Sequence, residues 1–207
     1  MTTLIKNKNK HNKNILLSKI KNKIAIAGIL TLGCFNAMAL DTVLSLHKGD
    51  ESKTVGLSIT LADNFSKNSN FYWSLGYSTL NDVKVEWNND DLFFKNDTVE
   101  ALLSYRQKLT GFNNQNSFLK NITIEYQIGA SVGLTENKFF WTDLNEEKYF
   151  SETADINPII AISTHYNFSK KSAIILGLKH QPNFSEFGNI STLFLGINYK
   201  FGRAAGY

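Results

Sequence analysis

Residues 122–134 read ITIEYQIGASVGL. Ile122, Ile124, Tyr126, Ile128, Ala130, Val132 and Leu134 share one side of an extended chain, and Thr123, Glu125, Gln127, Gly129, Ser131 and Gly133 share the other. Successive side chains of a strand point to opposite faces, so this is a strand with one apolar face and one face of small and polar groups. It is longer than most strands of soluble sheets and suits a tilted strand that crosses a bilayer with some overhang.

The same alternation recurs through the chain, and a helical period appears nowhere. It marks residues 42–48, 55–61, 71–78, 99–109, 159–168, 173–181 and 193–201. A further short segment, 82–87, would make nine strands, whereas a single-chain bacterial barrel closes with an even number. We therefore assign 82–87 to a long outer loop, 80–97, and expect an all-β, antiparallel, up-and-down transmembrane barrel of eight strands, with ten as the fallback. The connections agree with this: SKKS, 169–172, makes a tight turn, while 137–155 makes a long loop. Outer-membrane barrels alternate short periplasmic turns with longer outside loops.

The polar faces separate a membrane barrel from a soluble one. They carry Gly, Ser and Thr with few charges, which suits a narrow lumen into which side chains from many strands converge. Glu100, Arg106, Glu125, Lys179 and Lys200 fall on those faces and can pair there. The apolar faces carry aromatics near strand ends (Phe71, Tyr105, Tyr166, Phe168, Tyr199 and Phe201), as interfacial belts do. The competing reading is a secreted β-sandwich or lipocalin-like barrel with its apolar face turned inward.

The first 39 residues read differently. Residues 1–23 are polar and lysine-rich, residues 24–35 are apolar, and Ala37 and Ala39 provide small residues in an A-x-A pattern. This is the order of a secretory signal peptide, with cleavage expected after Ala39 and Leu40 as the mature N-terminus. Gly33-Cys34 resembles the end of a lipobox, but Thr31 and Leu32 fit the preceding positions poorly. The expected organisation is a signal peptide over 1–39 and a barrel domain over 40–207. The leader also explains the charge. The chain carries +4 overall, but taking the seven leader lysines from the 22 basic residues leaves 15 against 18 acids, a balance of −3. Nucleic-acid binding loses its support. The single cysteine, Cys34, lies in the leader, so the barrel domain has neither a disulfide nor a thiolate metal site.

The last strand, LFLGINYKF, resembles the C-terminal insertion signal of bacterial outer-membrane barrels: Gly196 is followed by Tyr199 and Phe201 three and five positions later. The resemblance implies recognition by the barrel-assembly machinery. One departure is the extension GRAAGY beyond Phe201.

Chemistry is sparse. His47, His165 and His180 share no metal-ligand spacing, and neither a phosphate-binding loop nor a nucleophile elbow is present. Asp143, Glu146 and Glu147 read as a solvated loop cluster rather than a metal site. No cofactor is expected. Residues 178–189, LKHQPNFSEFGN, are similar to the active-site strand of the outer-membrane lipid A deacylases, whose motif is His, any residue, Ser, Asn. That resemblance makes His180 the base and Asn183 the following Asn. The nucleophile position holds Pro182, which has no hydroxyl, and Ser185, with Glu186 beside it, is the substitute at the wrong spacing. The reading favoured is a structural or surface-interacting outer-membrane barrel of a Gram-negative cell envelope, with no wide pore. Its expected partners are outer-membrane lipid and lipopolysaccharide, contacted through loop aromatics such as Trp87, Phe93, Phe94, Phe139, Phe140 and Trp141. The alternative is an outer-leaflet, lipid-modifying enzyme or its inactive lipid-binding relative.

Overall fold

The computed structural model describes residues 40–50, 53–66, 68–87, 90–109, 118–141, 146–182 and 188–201. Ala37 and Ala39, where signal-peptide cleavage is expected, lie outside these, as do Asn183, Ser185 and Glu186.

Eight strands close into one antiparallel barrel: β1 (Leu40–Gly49), β2 (Val55–Asn64), β3 (Phe71–Trp87), β4 (Asp90–Lys108), β5 (Ile122–Gly133), β8 (Ile156–Asn167), β9 (Ser172–Gln181) and β10 (Ile190–Phe201). Closure comes from β1 against β10, with Leu40 opposite Phe201 and Gly49 opposite Thr192. The expected eight-stranded, up-and-down barrel is the observed fold. We call the end where β1 begins and β10 finishes proximal, and the opposite end distal. At the proximal end β8 and β9 are joined by the short turn foreseen at SKKS, in which the N–H of Ser169 donates to the carbonyl of Ser172 at 3.2 Å.

Two distal segments differ from expectation. Residues 80–97 are not a loop: β3 and β4 run on as a paired ladder to Trp87 and Asp90. A bulge between Leu80 and Val83 absorbs one extra residue of β3, and Asp82 takes a left-handed φ of 53° there. The bulge shifts the phase of the alternation, turning Val83 and Val85 inward, where both are buried. Leu80, Val83 and Ile190 then form an apolar plug over the distal lumen. Within 137–155 the chain makes a separate hairpin, β6 (Asn137–Trp141) with β7 (Glu146–Ser151), outside the barrel sheet. The ninth and tenth strands are therefore this hairpin, and the barrel count stays at eight.

The burial is inside out. Ile128, Ile156 and Ile197 are 63%, 74% and 62% exposed on the outer wall, whereas Ser131, Asp41 and Glu125 are 0%, 2% and 3% exposed in the lumen. A large aliphatic side chain left in water forgoes about 1.5–3 kcal/mol of burial. The belt of such side chains on every barrel strand is stable against lipid hydrocarbon and not against water, which excludes the soluble sandwich or lipocalin arrangement.

Candidate functional site

The lumen holds two charge clusters separated by apolar side chains. The proximal one is centred on Arg106, which points inward from near the end of β4. Its Nε donates to Glu125 Oε1 at 2.9 Å and its Nη1 to Asp41 Oδ2 at 2.6 Å, while the guanidinium stacks over the Tyr72 ring at 3.9 Å. One side chain thus ties β4 to β5 and, across the lumen, to β1. Glu125 also accepts from Ser104 Oγ at 2.7 Å and pairs with His165 Nε2 at 2.7 Å. Lys200 Nζ stands 3.3 Å from Asp41 Oδ1, close enough for an ion pair but without hydrogen-bond alignment. The distal cluster joins Lys179 Nζ to Glu100 Oε1 at 2.7 Å, with Thr98 Oγ1 also on Glu100 at 3.4 Å. Beside it His47 spans Ser58, at 2.8 Å from Nε2, and Thr192, at 3.3 Å from Nδ1. The pairing expected of Glu100, Arg106, Glu125, Lys179 and Lys200 is therefore present, with Asp41 as the partner that the alternation did not single out.

Buried charges need partners of this kind, because an unpaired ion in a dry lumen costs several kcal/mol. Leu102, Ile175 and Phe194 fill the lumen between the clusters and leave a cavity of about 50 Å³. Gly177 makes room for Phe194: a Cβ on it would stand 2.5 Å from Phe194 Cζ and 2.7 Å from the Ile162 carbonyl. This interior is a filled brace rather than a channel.

Ser163, His165 and Glu125 have the residue types of a hydrolytic triad, but their geometry is wrong for one. Ser163 Oγ at 3.2 Å and Glu125 Oε2 at 2.7 Å both meet the same atom, Nε2 of His165. A relay needs the serine on one ring nitrogen and the carboxylate on the other. The carboxylate also requires the Nε2 proton, so that nitrogen cannot act as the base.

His180 stands on the outer wall, as its place in the alternation foretold, near the distal end of β9. It does not meet the residues picked from sequence, since Asn183, Ser185 and Glu186 lie outside the described residues. Its Nδ1 instead lies 2.8 Å from Ser191 Oγ, directly opposite on β10. Sequence reasoning missed Ser191 because it sits eleven residues away and is brought near only by the β9–β10 register. With the proton on Nε2, this pair has the serine donating to the imidazole. No carboxylate among the described residues bonds to Nε2.

Gly196, Tyr199 and Phe201 lie on β10: Tyr199 and Phe201 are exposed on the outer wall and pack edge to face at 4.7 Å. Gly196 faces inward against β1, where a Cβ would stand 2.5 Å from Ser45 Oγ. Of the loop aromatics, Phe93, Phe139 and Phe140 are exposed, and Lys53 Nζ caps Phe93 at 4.7 Å. Phe94 corrects the expectation of exposure: it is partly buried and packs on Phe150, 1% exposed, at 5.2 Å. The side chains of Trp87, Trp141 and Glu146 lie outside the described residues, as does Asp143. Glu147 belongs to the hairpin rather than to an acidic cluster, accepting from Lys138 at 3.2 Å and Tyr149 at 2.9 Å. Those hydrogen bonds hold both the Lys138 ammonium and the Tyr149 phenol above their ordinary pKa values.

No family model matches the chain, and no curated protein matches it in sequence. Among solved structures, the chain is similar to the N-terminal β-barrel domain of Pseudomonas aeruginosa OprF, with a TM-score of 0.51 at 9% identity, covering 80% of this chain and 98% of that one. It is also similar to the outer membrane enzyme PagL, with a TM-score of 0.50 at 12% identity, covering 78% of this chain and 99% of that one. At such identities the likeness is one of fold. The chain is a small eight-stranded β-barrel of the outer-membrane type.

Proposed function

We propose that this barrel resides in the outer membrane of a Gram-negative bacterium as a structural and surface-interacting protein, with its proximal end in the periplasm. The observation that carries the reading is the inverted burial: an aliphatic outer wall around a sealed, charge-braced lumen. A cleaved signal over 1–39 would deliver the chain, and Gly196, Tyr199 and Phe201 would engage the barrel-assembly machinery. The β3–β4 extension and the β6–β7 hairpin would then stand outside, presenting Phe93, Phe139 and Phe140 to lipopolysaccharide or outer-leaflet lipid. The test is a gel of the outer-membrane fraction, boiled and unboiled. A band in that fraction that shifts on boiling is expected, while an unshifted band confined to soluble periplasm sinks the proposal.

One observation favours a second reading, an outer-leaflet lipid-modifying enzyme: the His180–Ser191 pair on the lipid-facing wall, with Ser191 rather than Ser185 as nucleophile. The pair lacks an orienting acid among the described residues, so the structural role is preferred. Lipid A mass spectrometry of cells with the wild-type chain, with Ser191→Ala, and without the chain separates the two. The structural reading expects one acylation pattern in all three, and a change abolished by Ser191→Ala would establish the enzyme.

A further inference from the structure

The proximal mouth carries a feature that the brace does not explain. A cup of about 390 Å³ opens there, floored by Arg106, Asp41 and His165 and walled by Lys108, Lys120, Lys171 and Lys200. That volume is in the range of small-ligand sites. Lys108 and Lys200 continue the inward-facing positions of β4 and β10, following Arg106 and Asn198, and Lys171 precedes Ala173 in the inward register of β9. Their chains therefore line the axis of the barrel rather than its lipid-facing wall. Among the described residues Asp41 is the only acid lining the cup, and it is already engaged by Arg106 and Lys200. The ammonium groups of Lys108, Lys120 and Lys171 form no ion pair among the described residues.

We propose that this cup is a binding site for a compact, water-borne polyanion carrying two or more phosphate groups. Several ammonium groups converging on one concavity with low-dielectric walls focus a positive potential and raise the local concentration of anions. These four lysines lie on four different strands or connections around the rim, so a ligand must present several anionic groups close together to satisfy them at once. Tyr72, Asn70, Thr123, Asn167 and Ser169 line the same cup and supply neutral hydrogen-bonding groups between the charges. The axial opening selects a ligand that arrives from water, in preference to the headgroup of a phospholipid embedded beside the wall.

Tripolyphosphate is the probe, titrated calorimetrically into the folded protein in zwitterionic micelles and into nanodiscs with and without phosphatidylglycerol. Saturable binding of one tripolyphosphate per barrel is expected in micelles, weakening by roughly tenfold or more between low and physiological salt because the contacts are ionic. Lys108→Gln/Lys120→Gln/Lys171→Gln should abolish it, whereas Lys84→Gln/Lys95→Gln at the distal end should leave it intact. Retention of the boiling-dependent gel shift verifies that each variant is folded. If the triple variant does not fold, Lys108→Gln/Lys120→Gln replaces it, since neither lysine contacts an acid, and a loss of several-fold is expected. Absence of saturable binding, or equal binding by a folded lysine variant, overturns the proposal. It is also overturned if phosphatidylglycerol in the nanodisc abolishes the lysine-dependent binding that phosphatidylglycerol-free nanodiscs show, which would assign the cup to lipid headgroups.

Discussion

Arg106 holds two carboxylates from opposite sides of a narrow lumen, and the consequence of removing it follows from elementary electrostatics. Arg106→Met would leave Asp41 and Glu125 buried without their main counter-charge, a change that costs about 3–5 kcal/mol in comparable buried pairs. Urea unfolding in micelles, followed by tryptophan fluorescence, is expected to show a loss of that order; a loss under about 1 kcal/mol would mean that water already screens the cluster. Gly177 makes a different prediction. A valine there meets Phe194 and also the backbone carbonyl of Ile162, which cannot swing aside, so a loss of about 1–3 kcal/mol is expected in the same assay. Shortening Phe194 to Leu alongside should restore part of it but not all. Sequence made the charged members of the lumen legible because each breaks into a face of small residues. It left Ser191 illegible, since a serine in an otherwise apolar alternation gains meaning only from its neighbour across a ladder.

Most strands were readable as elements because each must serve two solvents, and the period of two is the direct imprint of that demand. The exception is instructive. In LNDVKVEW the alternation slips by one residue after Leu80, so Val83 and Val85 carry the phase of the lipid-facing positions Phe71 and Tyr77 while lying inside. A bulge splits the alternation into two phases, so one continuous strand read as two segments, and the even strand number of a closed barrel sent the second, 82–87, to a loop. The bulge is held by the Thr54 hydroxyl donating to the Asp82 carbonyl at 2.8 Å. Asp tolerates a left-handed φ better than a β-branched residue does, so Asp82→Val should destabilise the barrel by about 1–2 kcal/mol in urea, with Asp82→Gly near neutral. Equal stability of the two variants would mean that the bulge relaxes at no cost.

At the scale of the molecule, the lumen is closed twice, by Leu102, Ile175 and Phe194 midway and by Leu80, Val83 and Ile190 at the distal end. Planar-bilayer recordings of the purified chain are therefore expected to show no steady unitary conductance; long-lived open steps would contradict the filled interior. Acids outnumber bases among the described distal residues, while bases dominate the proximal mouth, so the barrel is a dipole along its own axis. Nothing in the overall composition reveals this, because the two ends nearly cancel in a balance of −3. The pairing of β1 with β10 has a temporal consequence. A ring has no complete member until its last one arrives. β1 is synthesised before the other strands and waits with one edge unsatisfied for the longest time, and the twelve residues of β10 settle that edge and their own in a single event. The chain thus cannot acquire its final shape piece by piece as it emerges. It must be kept open, and kept from its neighbours, until the final strand is in hand.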